Sequence, residues 1–165
     1  MNRQSGFTLI EMAIVVAIIA IVSAITIPNM IGWAANSRVN ATARDIVATI
    51  QKARIEAVKQ NGRVVVTFDA DGDGTMNTTY LSFLDNGQGG GIAGDGFQNG
   101  TERTVYTGQL SSGVTLTNKP FGLGAGDTTF NSRAIPSFAG PVILTNSRGY
   151  TVTITLGSAG IPTIT

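Results

Sequence analysis

The chain has 165 residues, a formal net charge of +1, no Cys and no His. That composition excludes disulfide staples, thiolate metal centres and cysteine nucleophiles, and it removes the commonest general base and the commonest transition-metal ligand. The length suits one domain plus an extension, and a charge so near zero offers no bulk attraction to nucleic acid or acidic lipid.

The first informative element is the N-terminus. A short leader, residues 1–6 (MNRQSG), carries one charge, Arg3, and is followed by FTLIEMAIVVAIIAIVSAITIP from Phe7 to Pro28. About 20 apolar residues are enough to cross a bilayer. One acid, Glu11, lies inside this run, where an ionisable group is costly and asks for a partner. An ordinary secretory signal has an apolar region of roughly 7–15 residues with a small-residue cut after it. Here the run is longer, and the small residue best placed for cutting, Gly6, precedes it. A cut between Gly6 and Phe7 leaves the apolar segment on the mature chain and creates a positive amine at Phe7. Thr8-x-x-Glu11 also fits a capping box, a role that can coexist with the first before cleavage. A cap alone does not need a carboxylate at membrane depth.

Gly6-Phe7-Thr8-Leu9-Ile10-Glu11, the unbroken apolar run and Pro28 together resemble the cleavage and assembly motif of type IV pilins and type II secretion pseudopilins. The resemblance covers roughly the first third of the chain. It implies that a prepilin peptidase cuts after Gly6 and methylates the Phe7 amine. It also implies that Glu11 pairs with the Phe7 ammonium of a neighbouring subunit, and that the segment to Pro28 is the assembly helix. The implied setting is the bacterial inner membrane beside an assembly platform, with the β domain on the extracytoplasmic side. A filament in the periplasm or at the cell surface follows, its other subunits being the partners.

Beyond Pro28, which is expected to kink or loosen the helix, and Gly32, the positions Val39, Ala43, Ile46, Val47, Ile50, Ala57 and Val58 recur at helical spacing. An amphipathic helix to about Lys59 follows, with Asn61-Gly62 as its stop. Strands are predicted at Arg63–Phe68, Thr79–Leu84, Arg103–Thr107, Val114–Thr117, Thr128–Phe130, Val142–Thr145 and Tyr150–Leu156. Ile161 and Ile164 suggest a short last strand returning to the core. No second helical pattern appears, so antiparallel meanders fit better than βαβ units. The predicted division is a leader at 1–6, a transmembrane and assembly helix at 7–28, an amphipathic helix at 29–60 and an antiparallel β domain at 61–165. The fold class is α+β.

The tail is similar to that of H-type minor pseudopilins and FimT-like minor pilins through Phe130-Asn-Ser-Arg133, Pro136, Gly140, Val142-Ile-Leu144, Tyr150-Thr-Val-Thr-Ile154 and Gly160. This resemblance implies a pilin fold with two antiparallel sheets packed on the helix, and a low-copy subunit near a filament tip. A major pilin is the alternative, as is a DNA-capturing tip subunit. The basic Gly-Arg-x-Arg motif of FimT-like DNA binders is replaced here by Gly160-Ile-Pro-Thr163. Arg133 and Arg148 would form only a small basic patch, which gives little affinity at physiological salt.

Asp69-Ala-Asp71-Gly-Asp73-Gly74 fits the first half of a calcium loop, in which carboxylates supply hard oxygen ligands and Gly allows the sharp turn. The position for the closing Glu holds Tyr80, so a calcium site at Asp69, Asp71 and Asp73 would need completion by Asp85, Asp95 or Glu102. An acidic hairpin loop is the simpler reading. Asn86–Gly100 is Gly-rich but lacks the Lys of a phosphate loop and reads as a long mobile loop. With no His a Ser–His pair cannot form, and no catalytic constellation emerges. The expected function is structural, with no cofactor unless the acidic loop takes calcium.

Overall fold

The computed structural model describes residues 7–69, 75–118, 120–122 and 127–165. The chain divides into two compact units, Met1–Ala35 and Asn36–Thr165.

In the first unit, the helix α1 (Leu9–Lys59) begins two residues after Phe7. It is long and apolar enough to cross a membrane, and none of that apolar stretch is buried within the chain. Helical backbone continues through Pro28 and Gly32, so the expected loosening at Pro28 takes no residue out of the helix. Pro28 contributes no N–H. Two residues ahead of it, the Thr26 hydroxyl donates to the Val22 carbonyl at 2.8 Å.

The second unit holds the remainder of α1. Val39, Ala43, Ile46, Ile50, Ala53 and Ala57 recur every three or four residues and are fully buried. Five of them belong to the predicted stripe, and Val47 packs at its margin. Val58 does not belong to it: it is 52% exposed, because its position rotates off the seam. The helix ends as expected at Asn61-Gly62. Asn61 adopts a left-handed φ of 48°. Its N–H donates to Val58 O at 3.1 Å, and the Gly62 N–H donates to Ala57 O at 3.0 Å. These two bonds are the Schellman pattern that satisfies the last helix carbonyls.

Eight strands follow: β1 (Val64–Thr67), β2 (Thr79–Leu84), β3 (Thr104–Gln109), β4 (Val114–Leu116), β5 (Thr128–Phe130), β6 (Gly140–Asn146), β7 (Thr151–Leu156) and β8 (Pro162–Ile164). They form two four-stranded antiparallel sheets, ordered β3-β2-β1-β5 and β4-β6-β7-β8. Both sheets close on the helix stripe. Val64, Val66, Phe68 and Phe130 from the first sheet share one core with Val142, Leu144, Val152, Ile154 and Leu156 from the second. Strand β1 is buried on both faces, its Val65 joining Leu81 and Phe83 in a smaller cluster. Strand β7 alternates as predicted, burying Val152, Ile154 and Leu156.

The last strand forms, but its isoleucines do not return to the core. Ile161 and Ile164 are exposed, and Pro162 is the buried residue of β8. Period-2 alternation turns Ile161 outward beside the inward Pro162, whereas Ile164 shares the face of Pro162 and is left exposed at the strand's end. As an edge residue Pro162 need not donate to the ladder.

Candidate functional site

At the N-terminus, Phe7 is solvent-exposed and Glu11 stands in the first turn of α1. The Thr8 N–H and the Thr8 hydroxyl both donate to Glu11 Oε2 at 2.8 Å, and the Glu11 N–H donates to Thr8 Oγ1 at 3.3 Å. This is a reciprocal capping box, in which helix-start donors that have no partner within the helix are satisfied by side chains. The carboxylate is thereby held at the very start of the helix. Gly6 lies outside the described residues.

Sequence reading missed a second polar centre, built around Asp45 on α1. The Tyr80 hydroxyl of β2 donates a short hydrogen bond to Asp45 Oδ2. The Tyr106 hydroxyl of β3 donates to Asp45 Oδ1 at 2.9 Å. The Lys52 ammonium lies 4.0 Å from the centre of the Tyr106 ring, a favourable placement over its π face. An i, i+7 relation between Asp45 and Lys52, opposite two strand tyrosines, was the only signal in the sequence. Burial, and then the hydrogen bond and charge of Asp45, push the Tyr80 hydroxyl well above the ordinary tyrosine range. The Asp45 hydrogen bond is also the leading cause of an upward shift at Tyr106. A raised folded pKa means that an unfolded tyrosine ionises first. Stability is therefore complete below about pH 10 and falls as the pH rises beyond it. Thermal melts should be flat from about pH 8 to 10 and drop above that, with a shallower alkaline drop in Tyr80→Phe; equal alkaline slopes would show that Tyr80 is not the group responsible.

Asp71 and Asp73 lie outside the described residues. Asp69 is buried, with its N–H donating to Thr67 Oγ1 at 2.9 Å. The three carboxylates proposed to complete a calcium site are committed elsewhere. Asp85 accepts from the Gly94 N–H and, at 3.3 Å, from the Gly96 N–H. Glu102 accepts from the N–H groups of Asn86, Gly87 and Asn99 at 3.0, 2.8 and 3.1 Å. Asp95 accepts from the Phe97 N–H at 2.9 Å and the Asn99 side chain at 2.6 Å. These bonds organise the Asn86–Gly100 segment. At Gly100, φ is +60° and an added Cβ would stand 2.4 Å from the Gln88 carbonyl, so this turn needs Gly. Near Asp69 the additional carboxylate is Asp127, raised above the usual carboxylate range by burial first and by the charge of Asp69. Among the described residues, no group of three or more candidate ligands could hold a metal ion.

Arg133 and Arg148 do not form one basic patch. Arg148 precedes β7, whereas the turn carrying Arg133 packs against Gly160, beyond the other end of that strand. Six residues of strand put them roughly 20 Å apart.

A helix with an unpartnered apolar N-terminal stretch, its C-terminal part buried under two antiparallel sheets, defines a pilin-class structural subunit rather than an enzyme. Residues 1–27 match the family model described as the prokaryotic N-terminal methylation motif, and residues 42–160 match type II transport protein GspH. The fimbrial protein EcpB of Eikenella corrodens is 31% identical over 144 residues, 87% of this chain and 79% of that protein. A fimbrial protein of Pseudomonas aeruginosa is 34% identical over 118 residues, 70% of this chain and 75% of that protein. The minor pseudopilin EpsH from the type 2 secretion system of Vibrio cholerae shares the fold, with a TM-score of 0.50 and 12% identity over 78% of this chain and 96% of that one. The chain belongs to the GspH family of the type IV pilin and pseudopilin superfamily.

Proposed function

We propose that this protein is a minor, tip-associated subunit of a type IV pilus or type II secretion pseudopilus. In this reading a prepilin peptidase cuts between Gly6 and Phe7 and methylates the new amine. The subunit waits in the inner membrane through its apolar helix, with the β domain on the extracytoplasmic side. It then joins the filament at the assembly platform. There Glu11 exchanges its capping partner Thr8 for the Phe7 ammonium of a neighbour, and the segment to Pro28 packs among the helices of other subunits.

The observation that carries this reading is an apolar helix segment with no cover from its own chain, headed by a carboxylate. Such a surface needs lipid or other helices around it. The match to the GspH family supports the minor role, and the relatives named fimbrial proteins support a pilus.

The test is quantitative mass spectrometry of sheared filaments against membranes, reading the N-terminal peptide. A peptide starting at methyl-Phe7, at trace stoichiometry beside an abundant pilin, is the expected result. If that peptide dominates the filaments, this is a major pilin. An intact Met1 N-terminus in cells holding a prepilin peptidase would defeat the processing scheme.

A further inference from the structure

We propose that the end of the second unit at which the chain arrives from the apolar helix is a docking surface for anionic phospholipid headgroups, formed by Arg38 and Arg148. Net charge gives no hint of this; the placement does. After Glu11 the next charged residue is Arg38, only five positions beyond Trp33. At 1.5 Å per helical residue that is roughly 8 Å, the depth of a headgroup layer, and Trp is itself enriched at that boundary.

Arg148 reaches the same place by tertiary contact. The Asn146 side chain donates to Asn36 Oδ1 at 2.9 Å, and the Asn40 side chain donates to the Tyr150 hydroxyl at 3.2 Å. Asn146 Oδ1 also accepts the N–H groups of Arg148 and Tyr150, each at 3.0 Å. The tight turn between β6 and β7 is therefore fastened to the first residues of the unit, and its position there is independent of any angle between the two units. Asn36 and Asn40, a turn apart, hold this β-turn on one side of the helix. Arg38 leaves on the other side, so the two arginines bracket the point of entry.

Both arginines are exposed, and neither takes part in an ion pair among the described residues. Residues 36–44 and 146–151 contain no acid, and Asp45, the next on the helix, is occupied by two tyrosine hydroxyls. A basic residue beside an anionic leaflet gains about fivefold in local occupancy. The surface would hold the globular unit against the bilayer before extraction into a filament. Loss of these contacts is then part of the extraction step.

This inference rests on the apolar helix spanning the bilayer, which flotation of the full-length chain with vesicles checks separately. The chain has no Cys, so Ser147→Cys supplies a single fluorophore site in the turn, and Ile92→Cys supplies a control in the Asn86–Gly100 loop. Full-length protein is reconstituted in phosphatidylcholine vesicles with or without phosphatidylglycerol, each doped with headgroup-nitroxide lipid. Quenching at position 147 should rise about twofold or more with the anionic lipid, fall again at high salt, and lose the gain in the Arg38→Gln, Arg148→Gln double variant. Position 92 should not respond. Equal quenching at position 147 in both vesicles, or a gain that survives in the double variant, overturns the proposal. Failure to float would instead overturn the membrane-spanning reading.

Discussion

Glu11→Ala should leave the protein inserted in the membrane and nearly abolish its recovery in sheared filaments. The helix around position 11 is apolar throughout, so removing one carboxylate makes insertion cheaper, not dearer. Assembly is affected in the opposite direction. In the proposed filament the Phe7 ammonium of one subunit and the Glu11 carboxylate of the next are both withdrawn from water. Breaking such a buried pair by deleting one partner costs about 3–5 kcal/mol, more than a hundredfold in the equilibrium. The capping box complicates the readout, because Glu11 also receives the Thr8 N–H and hydroxyl. Glu11→Gln separates the two roles. Glutamine can serve in a capping box, yet it cannot neutralise an ammonium. If Glu11→Gln assembles normally while Glu11→Ala does not, the side chain acts as a cap and the ion pair is wrong. If both variants fail while remaining in the membrane fraction, the ion pair stands.

The helix, the strands and the site were not equally legible in the sequence. The apolar run and the Val39-to-Ala57 stripe were readable because periodicity reports burial directly. Strand limits fell within two residues of those predicted, since Gly, Asn and Asp punctuate them. Val58 and Ile161 were misjudged for one reason: an apolar residue near the end of an element obeys the same pattern whether or not a neighbour covers it, and cover is tertiary information. The Asp45 centre was invisible because its three residues come from α1, β2 and β3, joined only by folding. The same holds for the Asn86–Gly100 loop. Of the carboxylates that bond to it, Asp95 lies within it but Asp85 and Glu102 lie just outside its ends. Charge at the start of the second unit escaped notice because Arg38 and Arg148 are 110 positions apart in sequence and are brought to the same end of the unit only by the bonds of Asn36 and Asn40 to the β6–β7 turn.

Gly108→Ala should be among the most destabilising single substitutions in the second unit. Gly108 on β3 pairs with Tyr80 on β2, and the tyrosine ring lies across it. A Cβ there would stand 2.4, 2.5 and 2.6 Å from Cζ, Cε2 and Oη of Tyr80, closer than any tolerable contact. The ring has little room to give. It is 1% exposed, its centroid is 5.7 Å from that of Phe68, and its hydroxyl is tied to Asp45 on the helix. Overpacking alone costs about 1–3 kcal/mol. Displacing the hydroxyl also forfeits a hydrogen bond to a charged group, about 1.5–3 kcal/mol. A combined loss of about 3 kcal/mol is expected, lowering the melting temperature by roughly 10 °C. Thermal melts of the full-length chain in detergent, followed by near-ultraviolet circular dichroism, measure both the shift and the tyrosine environment. The mechanism has its own check. In a Tyr80→Leu background the collision partner is gone, so adding Gly108→Ala should cost far less than in the parent, a non-additivity expected of residues in contact. Equal costs in the two backgrounds would place the effect in the backbone of β3 rather than in the Tyr80–Asp45 link between sheet and helix.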